Sequence, residues 1–180
     1  GYDYTYLNGK KVVNNITDAN NNIIGSQYVP TANFVKIGNA TAKVTGGISN
    51  TITYKNLSLY VLADFKIGGQ IWSGDYGTIM GQGQAPETVA ERDGHGLPYT
   101  FPDGSKGNVG VILPGVTSDG KENTAVVNSW WKYAGNYQSW SNVPLVRTNC
   151  IFTNSWGKLR EVALTYRVRN TLISKTNIFQ

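Results

Sequence analysis

Cysteine and histidine each occur once in this chain of 180 residues, as Cys150 and His95. A lone cysteine excludes an internal disulfide framework and a cysteine-based zinc site, and a lone histidine argues against a histidine-rich metal centre or triad. No apolar run approaches the roughly 20 residues of a membrane-spanning helix. No signal peptide opens the sequence, so an exported protein would be represented here by a mature or internal piece. Dense basic runs are missing beyond Lys10-Lys11, so the net charge of +5 reads as a solvated surface and not as a nucleic-acid interface. Asp64, Glu91 and Glu161 are carboxylates without the pairing that a glycosidase needs, so no catalysis, cofactor or metal is expected.

What is abundant points to β-structure. There are 21 glycines, and the 11 tyrosines outnumber the 5 phenylalanines and 5 tryptophans together. That balance favours strands, turns and aqueous boundaries. The clearest element runs from Gly46 to Gly69. Ile48, Ile52 and Tyr54 share one face, interrupted by Asn50, while Gly47, Ser49, Thr51 and Thr53 share the other. After Lys55-Asn56 the alternation resumes without a break, with Leu57, Leu59, Val61, Ala63, Phe65 and Ile67 against Ser58, Tyr60, Leu62, Asp64 and Lys66. Period-two alternation around a two-residue connection predicts an antiparallel hairpin over 46–69. The second run matches the roughly 9–11 residues of a tilted bilayer-crossing strand. A soluble sandwich gives the same alternation, usually over about 5–6 residues, and on pattern alone it is the commoner source.

Elsewhere the signals are local. Tyr2, Tyr4 and Tyr6 alternate before Asn8-Gly9, a strong hairpin dipeptide. Asp18, Asn20 and Asn22 have calcium-loop spacing, but Ile23 stands where such a loop needs glycine and Val29 where it needs glutamate, so a polar turn is expected. Residues 70–155 are rich in Gly, Pro, Asn and Ser and hold no sustained period, which reads as one long loop. Within it Pro86 to Arg92 suits a short helix stopped at Gly94. Gly81-Gln82-Gly83 lacks the context of a dinucleotide fingerprint. Trp130, Trp131, Tyr133, Tyr137 and Trp140 form an aromatic cluster, either packing the loop on itself or facing a ligand. Alternation returns from Lys158, with Val162, Leu164, Tyr166 and Val168 opposite Glu161, Ala163, Thr165 and Arg167. A further strand begins at Asn177 to Gln180.

Several stretches resemble the later barrel region of the SusC/RagA family of TonB-linked outer-membrane transporters. They are Ile37-Gly38-Asn39-Ala40, Gly46 to Thr51, Tyr54 to Leu59, Asp64 to Gly74, Glu87 to Asp93, and Lys158 to Tyr166. They occur in the family's order and turn the reading from a soluble sandwich to a membrane barrel. The resemblance implies an all-β chain forming a section of a large antiparallel transmembrane β-barrel of about 22 strands with a long extracellular loop. It implies a location in the bacterial outer membrane. It also implies import of glycan or peptide fragments, with a SusD-like surface lipoprotein as lid and TonB acting through a plug. The plug and the closing strands have no counterpart here, so a section of a larger protein is expected.

In that frame Lys55-Asn56 is a periplasmic turn, 70–155 is the extracellular loop, and 156–168 is a returning strand. Tyr54 and Tyr166 fall on apolar faces at the periplasmic end. Trp156, on the parity of Val162, falls on the apolar face at the outer end, completing an aromatic girdle. Leu59, Val61, Ala63, Val162 and Leu164 are expected to face lipid, and Tyr60, Asp64, Glu161 and Thr165 the lumen. Candidate substrate contacts are Trp130, Trp131 and Trp140 in the loop, with Tyr60 and Asp64 in the lumen. The alternative is a secreted or surface β-domain that binds carbohydrate through the loop tryptophans.

Overall fold

Strands dominate because β-branched and aromatic residues alternate with polar ones in short runs separated by glycine and asparagine turns. A computed structural model describes residues 1–137 and 145–168. The first half contains β1 (Tyr6–Leu7), β2 (Lys10–Lys11), β3 (Val13–Thr17), β4 (Ile23–Tyr28), β5 (Val44–Tyr54), β6 (Leu57–Ile67) and β7 (Gln70–Trp72). Then come α1 (Gly74–Gly81), β8 (Leu97–Thr100), β9 (Lys106–Val111), β10 (Val127–Asn128), α2 (Ser129–Tyr137), β11 (Ile151–Thr153) and β12 (Trp156–Tyr166). The chain is thus mostly β with few helices, and no closed barrel is present among the described residues. The strand expected at Asn177 to Gln180 and the side chain of Trp140 lie outside those residues.

Two compact units divide the chain. The first joins Gly1–Asn39 to Trp72–Phe152, and the second joins Ala40–Ile71 to the chain from Thr153 onward.

In the first unit, β1 and β2 pair around Asn8-Gly9, whose φ angles of 51° and 78° are the positive pair that a tight hairpin turn needs. β3 and β4 pair around the Asp18 turn. There the Asp18 carboxylate accepts the amides of Asn20 and Asn22 and the Asn22 side chain, so it is engaged by its own turn. β8, β9 and β10 form a sheet in the order β10-β9-β8. Val13, Val111, Leu113 and Val127 make one core, with Tyr28 and Trp131 packed against it. Met80, Ala85 and Tyr133 make a second, with Tyr76 and Tyr137 against it.

This corrects the expectation of one long irregular loop over 70–155. That segment holds both helices and a three-stranded sheet, and it shares a core with residues 1–39. No strand in that segment contributes more than two buried residues. The pattern is therefore too short to show as a period, and its partners lie about a hundred positions away. The helix expected at Pro86 to Arg92 is a single 3-10 turn, Pro86–Thr88, with proline at its start, followed by a wider turn, Glu91–His95, that breaks at Gly94 with φ 85°.

The second unit is a sheet of three eleven-residue strands in the order β12-β6-β5. Register assigns its faces. Ile52, Leu59 and Leu164 stand in one cross-strand row, Asn50, Val61 and Val162 in the next, and Ile48, Ala63 and Leu159 in a third. Tyr54, Leu57 and Tyr166 close the row at the turn end. Phe65 lies between Gly46 and Gly157, close enough to Gly46 that an added Cβ there would meet its ring at 2.8 Å. This apolar face is uncovered: Ile48, Leu159 and Leu164 are each about two-thirds exposed, at 66%, 66% and 67%. The opposite face carries Ser49, Thr51, Ser58, Tyr60, Asp64, Glu161 and Thr165.

The parity expected for Trp156 is overturned. A bulge between Leu159 and Glu161 leaves Arg160 outside the pairing, so Leu159 pairs with Ala63, Lys158 with Asp64 and Trp156 with Lys66. One extra residue in one strand reverses the face of everything beyond it. Trp156 therefore stands on the polar face, and Leu159 takes its place on the apolar one.

Leu113 is fully buried, and Leu113→Ala should lower stability by about 2–5 kcal/mol through lost transfer energy and a residual cavity. Val126→Ala, at a partly exposed neighbour, should cost within about 0.5 kcal/mol. Urea unfolding followed by near-ultraviolet circular dichroism distinguishes the two.

Candidate functional site

The aromatic cluster of the sequence sits on α2, and its members divide by role. Trp131 packs on the first core, and its ring lies against two glycines. A Cβ at Gly25 would meet the ring at 2.2 Å, and one at Gly135 at 2.8 Å. Tyr133 is buried in the second core, with Tyr137 beside it. Burial pushes the Tyr137 hydroxyl up to about 12. Trp131, Tyr133 and Tyr137 thus hold the unit together, the packing role the sequence left open for them.

Trp130 is different. It is 41% exposed, meets Trp131 edge-to-face at 4.9 Å, and its amide is held by the Asn128 side chain at 2.8 Å. It lines a pocket of about 260 Å³ with Gln82, Arg92, Asn128 and Tyr133. Arg92 is positioned by the carbonyl of Gly83, to which its Nη1 donates at 2.5 Å. Gly83 itself has φ 69° and ends α1. An indole, a guanidinium and two amides around one concavity form a set suited to a polar ligand with a flat apolar face. Arg92 and Gln82 escaped the sequence reading because they belong to separate turns that only the helix packing brings together.

The wall behind this pocket is an ion pair with a hydroxyl. Glu91 accepts from the Lys132 ammonium and, at 2.5 Å, from the Tyr133 hydroxyl, which also lies 2.8 Å from the Glu87 carbonyl. Burial pushes the Glu91 carboxyl up, but the hydrogen bonds from Lys132 and Tyr133 outweigh it and hold the group below its usual range. Burial raises the Tyr133 hydroxyl, and its bond to Glu91 raises it further. This arrangement ties the turn after Pro86 to α2.

A second concavity, of about 450 Å³, lies at Trp72, Asp75, Thr78 and Arg147. The Arg147 guanidinium stands 5.8 Å from the Trp72 ring. Cys150 is buried beside it, and burial raises its thiol above the usual range. Among the described residues no three carboxylate, imidazole or thiol groups cluster as metal ligands.

Tyr60 and Asp64 are on the polar face of the β5-β6-β12 sheet, four residues apart along β6 and so roughly 13 Å from one another. Asp64 accepts from Arg160 Nε at 2.6 Å. Trp140 lies outside the described residues. No helix among those residues is long and apolar enough to cross a membrane, a statement that leaves strands aside. Comparison with known proteins finds no family model, curated protein or solved structure that matches the chain.

Glu91→Gln should lower stability at neutral pH by about 1–2 kcal/mol, allowing for partial solvent screening. A carboxyl held low in the folded state stabilises above its unfolded value, and that contribution is lost as pH falls through the folded one. The gap between wild type and variant should therefore be constant from about pH 7 to 5 and close below about pH 4. Thermal unfolding across that range measures it.

Proposed function

We propose that the chain is a segment of an outer-membrane, SusC-like transporter that imports glycan or peptide fragments and carries out no catalysis of its own. One observation carries this reading: three paired eleven-residue strands present an apolar face, broken by Asn50, that no described residue covers, and a polar face behind it. Eleven residues at about 3.3 Å span roughly 36 Å, which at a tilt of about 40° crosses the apolar band of roughly 25 Å in an outer membrane. In water, so large an exposed apolar face would drive association. Against lipid it is the satisfied state. The tyrosines of the Tyr54-Leu57-Tyr166 row then sit at a membrane boundary, where an amphipathic ring keeps its hydroxyl wet. Apart from these tyrosines, Asn50 is the one hydrogen-bonding side chain in the apolar rows.

In this reading the resemblance to the SusC/RagA family supplies the partners: a SusD-like lipoprotein outside, TonB inside through a plug, and an oligosaccharide or peptide as cargo. The unit built on Gly1–Asn39 and Trp72–Phe152 is the extracellular part, and Trp130 is its contact with cargo or lid. The second reading, a surface β-domain that binds carbohydrate, draws on the same Trp130 pocket. The uncovered apolar sheet favours the transporter over it.

Val61 lies in the central apolar row and Tyr60 on the polar face. Val61→Arg should cost about 2–4 kcal/mol on folding into bilayers, and Tyr60→Arg much less. Equal costs at the two positions would refute the lipid-facing assignment.

A Trp130→Ala variant should assemble normally yet lower uptake of the cargo, whereas Trp131→Ala should weaken the fold first. Growth on the substrate, with barrel assembly assayed by heat-modifiable migration, tells these apart. Unchanged uptake in Trp130→Ala and in Trp130→Ala with Arg92→Gln rules Trp130 out as a cargo contact.

A further inference from the structure

The bulge at Arg160 does more than reverse a face. It brings Lys158 and Trp156 onto the side of the sheet that already carries Lys66 and Asp64. The Lys158 ammonium stands 4.9 Å from the Trp156 ring, and the Arg160 guanidinium 5.8 Å from it. Lys66 is the cross-strand neighbour of Trp156. Two cations therefore lie over one indole at the end of the sheet away from the Lys55-Asn56 turn, with Lys66 on the neighbouring strand, its side-chain end beside Gly69. Two carboxylates share this face, Asp64, which Arg160 engages at 2.6 Å, and Glu161 next along β12, which leaves the group with one more cation than anion. Neither Lys66 nor Lys158 has an ion-pair partner among the described residues.

Such a group is electrostatically incomplete. Register sets Lys158 opposite Asp64 and Lys66 opposite Trp156, so Lys66 and Lys158 repel along the diagonal, and the indole relieves that only partly, through the attraction of its face for a cation. An anion between Lys66 and Lys158 would turn the repulsion into two charge-assisted hydrogen bonds. Bulges are found where a strand must re-aim side chains towards a site. Without this one, Lys158 and Trp156 would face the apolar side.

We propose that Lys158 and Arg160 over Trp156, with Lys66 on the neighbouring strand, form an anion-recognition site on the polar face of the sheet, and that its ligand is an acidic oligosaccharide. The choice of a sugar rests on the transporter reading. The need for a negative charge rests on the cluster alone. The site gives the lumen a preference for acidic over neutral cargo and makes its capture dependent on ionic strength.

The test uses the full-length protein containing these residues, refolded into phosphatidylcholine vesicles, with tetragalacturonate as probe and maltotetraose as neutral control. Calorimetric titration and tryptophan fluorescence are recorded at low and high salt. The expected result is that tetragalacturonate binds, maltotetraose does not, and added salt weakens binding. The double variant Lys66→Gln, Lys158→Gln should bind at least about tenfold more weakly, and Lys158→Arg should retain binding. Trp156→Phe should bind while losing the fluorescence change. Equal affinity in wild type and the double variant, or no binding by a wild type that floats with vesicles, overturns the site and leaves the barrel reading standing. Binding that depends on Lys66 and Lys158 in a protein that stays soluble without lipid overturns the barrel reading and upholds the site.

Discussion

The backbone ladder of Leu57–Ile67 sets the character of both faces of the sheet, because it is hydrogen-bonded on each side and side chains alternate along every strand. A shift of one residue in either pairing would move a whole row of apolar side chains across the sheet. The register of β5 is pinned by the two-residue turn at Lys55-Asn56, with Lys55 at φ 54°. The register of β12 has no such turn. It is held by cross-strand contacts, among them Asn56 with Arg167 and Asp64 with Arg160. The bulge sits beside the second of these. Opposite charges across the sheet and the change in parity are thus parts of one local arrangement.

The other unit solves a different problem. Among the described residues it has no long strand, and its stability comes from many short pieces that cover two small cores. Trp131 illustrates the economy: one ring covers the first core and fills the space left by two glycines. Gly25 and Gly135 are required by that close approach. Tyr133 does similar work for the second core, with its hydroxyl holding Glu91 and the turn that follows Pro86. The pocket at Trp130 is a product of this packing. Its walls are the end of α1, the turn at Arg92 and the first turn of α2, none of which would hold a shape alone.

The two units differ in how their exposed apolar side chains are arranged. One buries Val13, Val111, Leu113 and Val127 together while leaving Phe34, Val35, Val89 and Leu97 exposed singly, and the other presents isoleucines, leucines and tyrosines outward in ordered rows. Disordered exposure of this kind would be a defect. Exposure in register, on strands long enough to cross a bilayer and backed by a polar face, is the ground on which a non-aqueous neighbour is proposed. That contrast underlies the transporter proposal, and the cation cluster adds a preference for charge to it.

The sequence by itself determined the hairpin over 46–69, the returning strand, the Asn8-Gly9 turn and the segregation of Leu59, Val61 and Ala63 from Tyr60 and Asp64. These depend on alternation and turn chemistry, which act between near neighbours and are written in order along the chain. Tertiary structure decided the rest. The folding of 70–155 depends on single valines and one leucine meeting across about a hundred residues, and no local period records that. The place of Trp156 depends on one unpaired residue in β12, and a bulge is invisible to a rule that counts by twos. The separate roles of Trp130 and Trp131 depend on which ring finds glycine backbone to lie on. Adjacent positions on a helix point in different directions, and only the neighbours packed against each side determine which ring lies on the core and which stays exposed.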